Sequence, residues 1–179
     1  WFMEKVVLPT VAFVGRLFPS LTVQGLGDPN YAYSLLKQYK GEWEFDTNWK
    51  MIFGHPKKAG WIKAIQEAQQ TVQKGLKLDC PILVMSSNKS FPETETWHEE
   101  YMTSDIVLDV QDIQKYGEKL GDKVTRDTIP NGIHDLILSQ KPYRNDAYQT
   151  IFEWLKKQKW LHQTYKSLPL RPDKTFIYT

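Results

Sequence analysis

Pro81-Ile82-Leu83-Val84-Met85-Ser86-Ser87 is a short apolar run that closes on two serines. An unbroken apolar run of this length is the pattern of a strand buried on both faces, as in parallel sheets. Further on, residues 123–129 (Lys-Val-Thr-Arg-Asp-Thr-Ile) read as a second strand, with Val124, Arg126 and Thr128-Ile129 alternating in character. Between the two, Val110, Ile113, Gly117 and Leu120 mark one face of a helix. Asp109 stands where its N-cap belongs and Gly121 where its C-terminal glycine belongs. Strand, helix and strand within ~50 residues form a βαβ unit, and the class is therefore α/β with a parallel pair.

Helices are expected on either side of this unit. Trp61, Ile65, Ala68 and Val72 recur at helical spacing, and Gly75 follows as a stop. Ala147, Ile151 and Leu155 predict a long helix reaching about Gln158. Upstream, Val6, Val7, Val11 and Val14 suggest a helix face that starts near Pro9. Residues 25–30 are a turn signal, residues 31–39 a short helix ending before Gly41, and residues 42–46 a loop with Trp43 and Phe45. Residues 88–104 read as a polar connection. The last twenty residues contain Pro169 and Pro172 and are expected to form a tail.

Composition narrows the function classes. The 179 residues carry a net charge of +2, too small a field to point to nucleic acid. The single cysteine, Cys80, allows no intrachain disulfide and is expected to be buried and inert. Residues 6–23 are mostly apolar but contain Pro9, Arg16 and Pro19, and fall short of the ~20 clean residues of a membrane span. A buried or lipid-facing helical hairpin is expected there instead. No signal peptide pattern opens the chain, so a cytoplasmic site is the default. Trp1-Phe2-Met3 reads like the middle of something, and a fragment is expected.

The chemistry gathers in two places: Ser104-Asp105-Ile106-Val107-Leu108-Asp109 and Asn131-Gly132-Ile133-His134-Asp135. In open α/β sheets, reactive groups collect at the carboxyl ends of parallel strands. Neighbouring strands are ~4.8 Å apart, so loops from their ends can meet. A buried carboxylate beside an imidazole holds one tautomer and stabilises the imidazolium. Histidine suits a base because its ordinary pKa is about 6.5. Asp109 has a local task as a helix cap, which leaves Asp105 as the candidate acid and His134 as the candidate base. Asp135 is expected to be a loop hydrogen-bonder. His55, His98 and His162 stand in unrelated contexts, and no H-E-x-x-H or C-x-x-C spacing is present.

This order of elements resembles the end of an α/β-hydrolase, and is similar to the group that includes serine aminopeptidases, monoacylglycerol lipases and lysophospholipases. The resemblance covers roughly residues 58–158. It implies that Asp105, in an Asp-x-x-x-Asp setting, is the triad acid. It also implies that His134, in a Gly-x-His setting, is the triad base. Residues 1–57 would be a helical cap, and residues 159–179 a C-terminal tail. Trp1, Phe2, Phe13, Phe18, Trp43 and Trp49 are then candidate acyl-pocket or cap residues, although for each the plain packing reading leads.

One part of the family pattern is missing. None of the eight serines lies in Gly-x-Ser-x-Gly, so the nucleophile is expected outside this chain. The implied activity is serine-type hydrolysis of an ester, lipid or peptide, without a cofactor. The implied partner is the missing N-terminal half, or a second copy paired through exposed strand edges. The competing expectation is a non-catalytic interaction or membrane-associating module built on residues 6–23. A third is a hydrolase-fold protein without activity. Distance separates the first two: a triad needs Asp105 and His134 within hydrogen-bond reach.

Overall fold

A computed structural model of the chain describes residues 8–24 and 27–158. Its centre is the expected parallel pair. Strand β3 (Ile82–Ser87) lies beside strand β4 (Val124–Ile129) in unbroken register, from Ile82 against Val124 to Ser87 against Ile129. Helix α4 (Val110–Gly117) crosses between them and runs into a 3-10 turn, Glu118–Leu120. Asp109 caps α4 as its sequence position predicts: the carboxylate accepts the Gln111 N–H at 2.8 Å.

Helix α5 (Lys141–Lys157) completes a layered arrangement. Arg126 Nη1 donates to the Gln114 carbonyl of α4 at 3.2 Å, while Trp154 Nε1 of α5 donates to the Thr125 hydroxyl at 3.1 Å. Adjacent strand residues face opposite ways, so α4 and α5 sit on opposite faces of β4. The close fit of α4 on β3 requires Gly117, where an added Cβ would lie 2.8 Å from Val84 Cγ1.

The N-terminal part begins with helix α1 (Leu8–Leu17), followed by strand β1 (Thr22–Gln24) and helix α2 (Asn30–Leu35). Strand β2 (Lys57–Lys58) pairs antiparallel with β1 and leads directly into helix α3 (Ala59–Lys74), against which α1 packs. Gly75 ends α3 with φ of 95°, in the left-handed range.

Several expectations are corrected. Within the expected hairpin of residues 6–23, the described residues 8–23 do not form one: α1 ends at Leu17, Pro19 follows, and β-branched Thr22 and Val23 take up a strand. No helix among the described residues is long and apolar enough to cross a membrane. The helix expected over residues 31–39 stops at Leu35, because Leu36 turns extended and bridges to Trp43. Gly121 is extended, with φ of 175°, and is a glycine for lack of room: a Cβ there would collide with the Leu78 carbonyl. Cys80 is exposed, since it precedes the strand and its covering helices. Ile82 to Met85 are half-buried where burial on both faces was expected, because among the described residues only β4 lies alongside β3.

The aromatic residues divide. Trp43 packs, donating its indole N–H to the Leu138 carbonyl at 2.7 Å with the Arg144 guanidinium over its ring. Phe13 and Phe18 are 64 % exposed and Trp49 is 86 % exposed, so for these three the packing reading does not hold. Trp1, Phe2, Val6, Val7, His162 and the tail of residues 159–179 lie outside the described residues.

The contact between Gly117 and Val84 can be tested. Gly117→Ala is expected to cost about 1–3 kcal/mol through overpacking. The cost should shrink in a Val84→Ala background, where the obstructing methyls are gone. A urea-denaturation double-mutant cycle measures both.

Candidate active site

Asp105 stands eighteen residues beyond the last residue of β3, yet it sits at that strand's carboxyl end. A bridge explains this. Asp105 N–H donates to the Lys89 carbonyl at 3.0 Å, and Phe91 N–H donates to the Asp105 carbonyl at 3.0 Å, so Ser90 and Asp105 pair as a one-step extension of the sheet. The intervening loop is not a purely polar excursion. Its 3-10 turn, Glu99–Met102, buries Tyr101 and Met102, and the Tyr101 hydroxyl accepts the Thr94 N–H at 2.8 Å. Tyr101-Met102, an apolar pair within a polar stretch, was the available signal for this anchor.

His134 follows β4 through a tight turn. Gly132 N–H donates to the Ile129 carbonyl at 3.1 Å, with Asn131 in the left-handed region at φ of 59°. Asn131 N–H donates to Asn88 Oδ1 at 3.0 Å, tying this loop to the one leaving β3. Ile133 N–H donates to the buried Ser139 hydroxyl at 3.0 Å.

The two loops bring the candidate residues together: His134 Nδ1 lies 3.0 Å from Asp105 Oδ2. The Asp105 side chain is only 2 % exposed and that of His134 is 28 % exposed. Asp105 Oδ1 accepts the N–H groups of Val107 and Leu108, each at 2.8 Å. The premise that Asp105 has no local task is therefore corrected: one oxygen builds its own turn and the other meets the imidazole.

These contacts set the charges. Burial pushes the Asp105 carboxyl up, but hydrogen bonds from His134, Leu108 and Val107 outweigh it and hold the group below its ordinary value. The hydrogen bond to Asp105 raises the His134 imidazole above its ordinary value against the opposing effect of burial, with further help from the charges of Asp105 and Asp135. An ionised carboxylate only accepts, so the Nδ1 proton belongs on the ring. In the neutral imidazole that leaves the Nε2 lone pair free to take a proton.

Other groups surround the pair. The Tyr31 ring meets the His134 ring edge-on, with centroids 5.9 Å apart and planes at 75°. The Tyr31 hydroxyl donates to Asp135 Oδ2 at 2.7 Å, so Asp135 is a hydrogen-bonder, as its position predicts, but to a residue far away in sequence. Lys50 Nζ lies 3.7 Å from the same oxygen. Neither Tyr31 nor Lys50 was legible as a site residue. His55 is exposed. His98 packs on Phe91 and Tyr101 beyond the pair.

No family model matches the chain, and no curated protein matches it. Among solved structures it is similar to a soluble variant of monoglyceride lipase from Saccharomyces cerevisiae, determined in complex with a substrate analog. The identity is 13 %, the TM-score 0.54, and the likeness covers 87 % of this chain. The chain spans about half that lipase, 50 % of its length. At this identity the likeness speaks for the fold alone: a mixed α/β fold with a parallel pair, like that of half of the lipase.

The raised imidazole and the depressed carboxyl define a pH window. His134 contributes stability below its unfolded value, and loses it as pH rises through the raised folded value. Asp105 contributes above its unfolded value, and loses it as pH falls through the depressed folded value. The pair is thus most stabilising between about pH 4 and 6.5, the ordinary values of the two groups. The gap in unfolding free energy between wild type and Asp105→Asn should be widest there and narrower at about pH 9. Urea denaturation across a pH series reads it, and a gap that widens toward alkaline pH would refute the assignment.

Proposed function

We propose that Asp105 and His134 are the acid and base of a serine-type hydrolase that cleaves an ester or amide, with its nucleophile outside this chain. One observation carries the proposal: a buried, ionised Asp105 meets His134 Nδ1 at 3.0 Å. The two residues sit on loops leaving the carboxyl ends of adjacent parallel strands. An interaction module without catalysis gives this pair no role.

The chemistry follows from the tautomer. His134 Nε2 takes the proton from a serine hydroxyl as the oxygen attacks the substrate carbonyl. Asp105 stabilises the imidazolium without itself taking the proton. His134 then returns the proton to the departing alcohol or amine, and water repeats the cycle on the acyl-enzyme. In this reading residues 1–57 are the cap, residues 58–158 the C-terminal part of the core and residues 159–179 a tail. The kinship is with the group of serine aminopeptidases, monoacylglycerol lipases and lysophospholipases. Exposed Trp49, Phe53 and Met51 favour an apolar group on the substrate.

The half-buried apolar residues Ile82 to Met85 support a further strand against β3. That strand comes from the missing N-terminal half or, if the chain stands alone, from a second copy. In sedimentation at micromolar concentration the isolated chain is expected to self-associate, and a strictly monomeric, folded chain argues against the pairing.

The isolated chain should not turn over p-nitrophenyl esters. Joined to an upstream half carrying Gly-x-Ser-x-Gly it should, and His134→Ala should lower kcat about 10⁴-fold or more. Activity should rise with pH as the raised His134 deprotonates, and Asp105→Asn should move that rise to lower pH. Ester turnover by the isolated chain, abolished by His134→Ala, would overturn the proposal.

A further inference from the structure

Helix α2 presents two neighbouring residues to the two loops of the site. The buried Asn30 donates its side-chain N–H to the Thr94 carbonyl at 2.8 Å, in the loop that delivers Asp105. Tyr31 engages the residue next to His134 twice: its hydroxyl donates to Asp135 Oδ2 at 2.7 Å and accepts the Asp135 N–H at 3.2 Å. A hydroxyl that both donates to the side chain and accepts from the backbone of one residue fixes that residue's peptide plane. The Tyr31 ring meanwhile lies edge-on to the imidazole.

We infer that Asn30 and Tyr31 act together as positioning residues, one helix turn that holds the Asp105 loop and the His134 loop at hydrogen-bonding separation. The inference rests on reading Asp105 and His134 as an acid–base pair. Tyr31 touches no reacting atom. Its ring packs edge-on against the imidazole while its hydroxyl is held by the residue that follows His134. Lys50 closes the arrangement, with its Nζ 3.7 Å from Asp135 Oδ2 and 5.4 Å above the Tyr31 ring. The charged groups facing the imidazole are thus Asp105, Asp135 and Lys50. The Asp135 carboxyl oxygen is thus shared between the Tyr31 hydroxyl and the Lys50 ammonium.

The hydrogen-bonded Nδ1 proton of His134 reports on this directly. In the 179-residue chain its exchange with solvent, followed by NMR, should be slow in wild type. Tyr31→Phe keeps the ring edge and removes only the hydroxyl. It should accelerate exchange about three- to tenfold, the size of one hydrogen bond. Asn30→Ala should act in the same direction. A merely structural role for Tyr31 would lower the melting temperature and leave this exchange rate unchanged. Should Tyr31→Phe fail to fold, Asp135→Asn weakens the same contact from the other side, and it too should accelerate exchange. If Asp105→Asn accelerates exchange and neither Tyr31→Phe nor Asp135→Asn does, the clamp is wrong and the pair stands. If Asp105→Asn itself has no effect, the reading of the pair is what fails.

Discussion

Parallel pairing of Ile82–Ser87 with Val124–Ile129 fixes where two loops begin, and the candidate acid–base pair hangs from those two points. Parallel strands bring like ends together, so the chain leaves both at the same edge of the sheet. The bridge between Ser90 and Asp105 carries the first strand one step further. The turn at Asn131 and Gly132 carries the second round to His134. A slip of one residue in register would send each side chain of the slipped strand to the other face of the sheet. Gln114 guards against this by donating both to Ser86 Oγ at 2.8 Å and to the Asp127 carbonyl at 3.3 Å, spanning the two strands from α4.

The charge on Asp105 and the shape of its loop are one feature. A carboxylate removed from water is costly unless donors surround it. Here Val107 N–H, Leu108 N–H and His134 supply them. Those backbone donors exist only if residues 105–108 turn as they do, so the local conformation keeps the group ionised. The same turn brings Asp109 into place as the cap of α4. Two aspartates four positions apart thus divide the work, one holding the helix and the other the imidazole.

The sheet and its helices were legible because their signals are local: apolar runs, helical spacing, a capping aspartate and a stopping glycine. Asp105 and His134 were legible because parallel topology brings their loops together whatever the loops contain. The elimination that favoured Asp105 over Asp109 reached the residue that meets His134 on a partly mistaken premise, since Asp105 also serves its own turn. Tyr31 was illegible for a different reason. It bonds to Asp135 across a separation of 104 residues, and no spacing rule reaches that far. Exposure at Phe13, Phe18 and Trp49 was missed because composition records how many aromatics a chain has and not what covers them. Gly121 was misjudged because a glycine required for space and one required for a left-handed turn look identical in a sequence.

The contact between Tyr31 and Asp135 also orders events in time. Loop-closure entropy grows with the length of chain enclosed, though slowly, and long-range contacts form late unless something nearer prepares them. The βαβ unit closes over about forty residues and can assemble first. Helix α2 can then settle onto a surface already made. Ala32, Ser34 and Leu35 are buried as it does so, and Asn30 and Tyr31 bond to the two loops of the site. The candidate site is therefore finished last, on a sheet that is already closed.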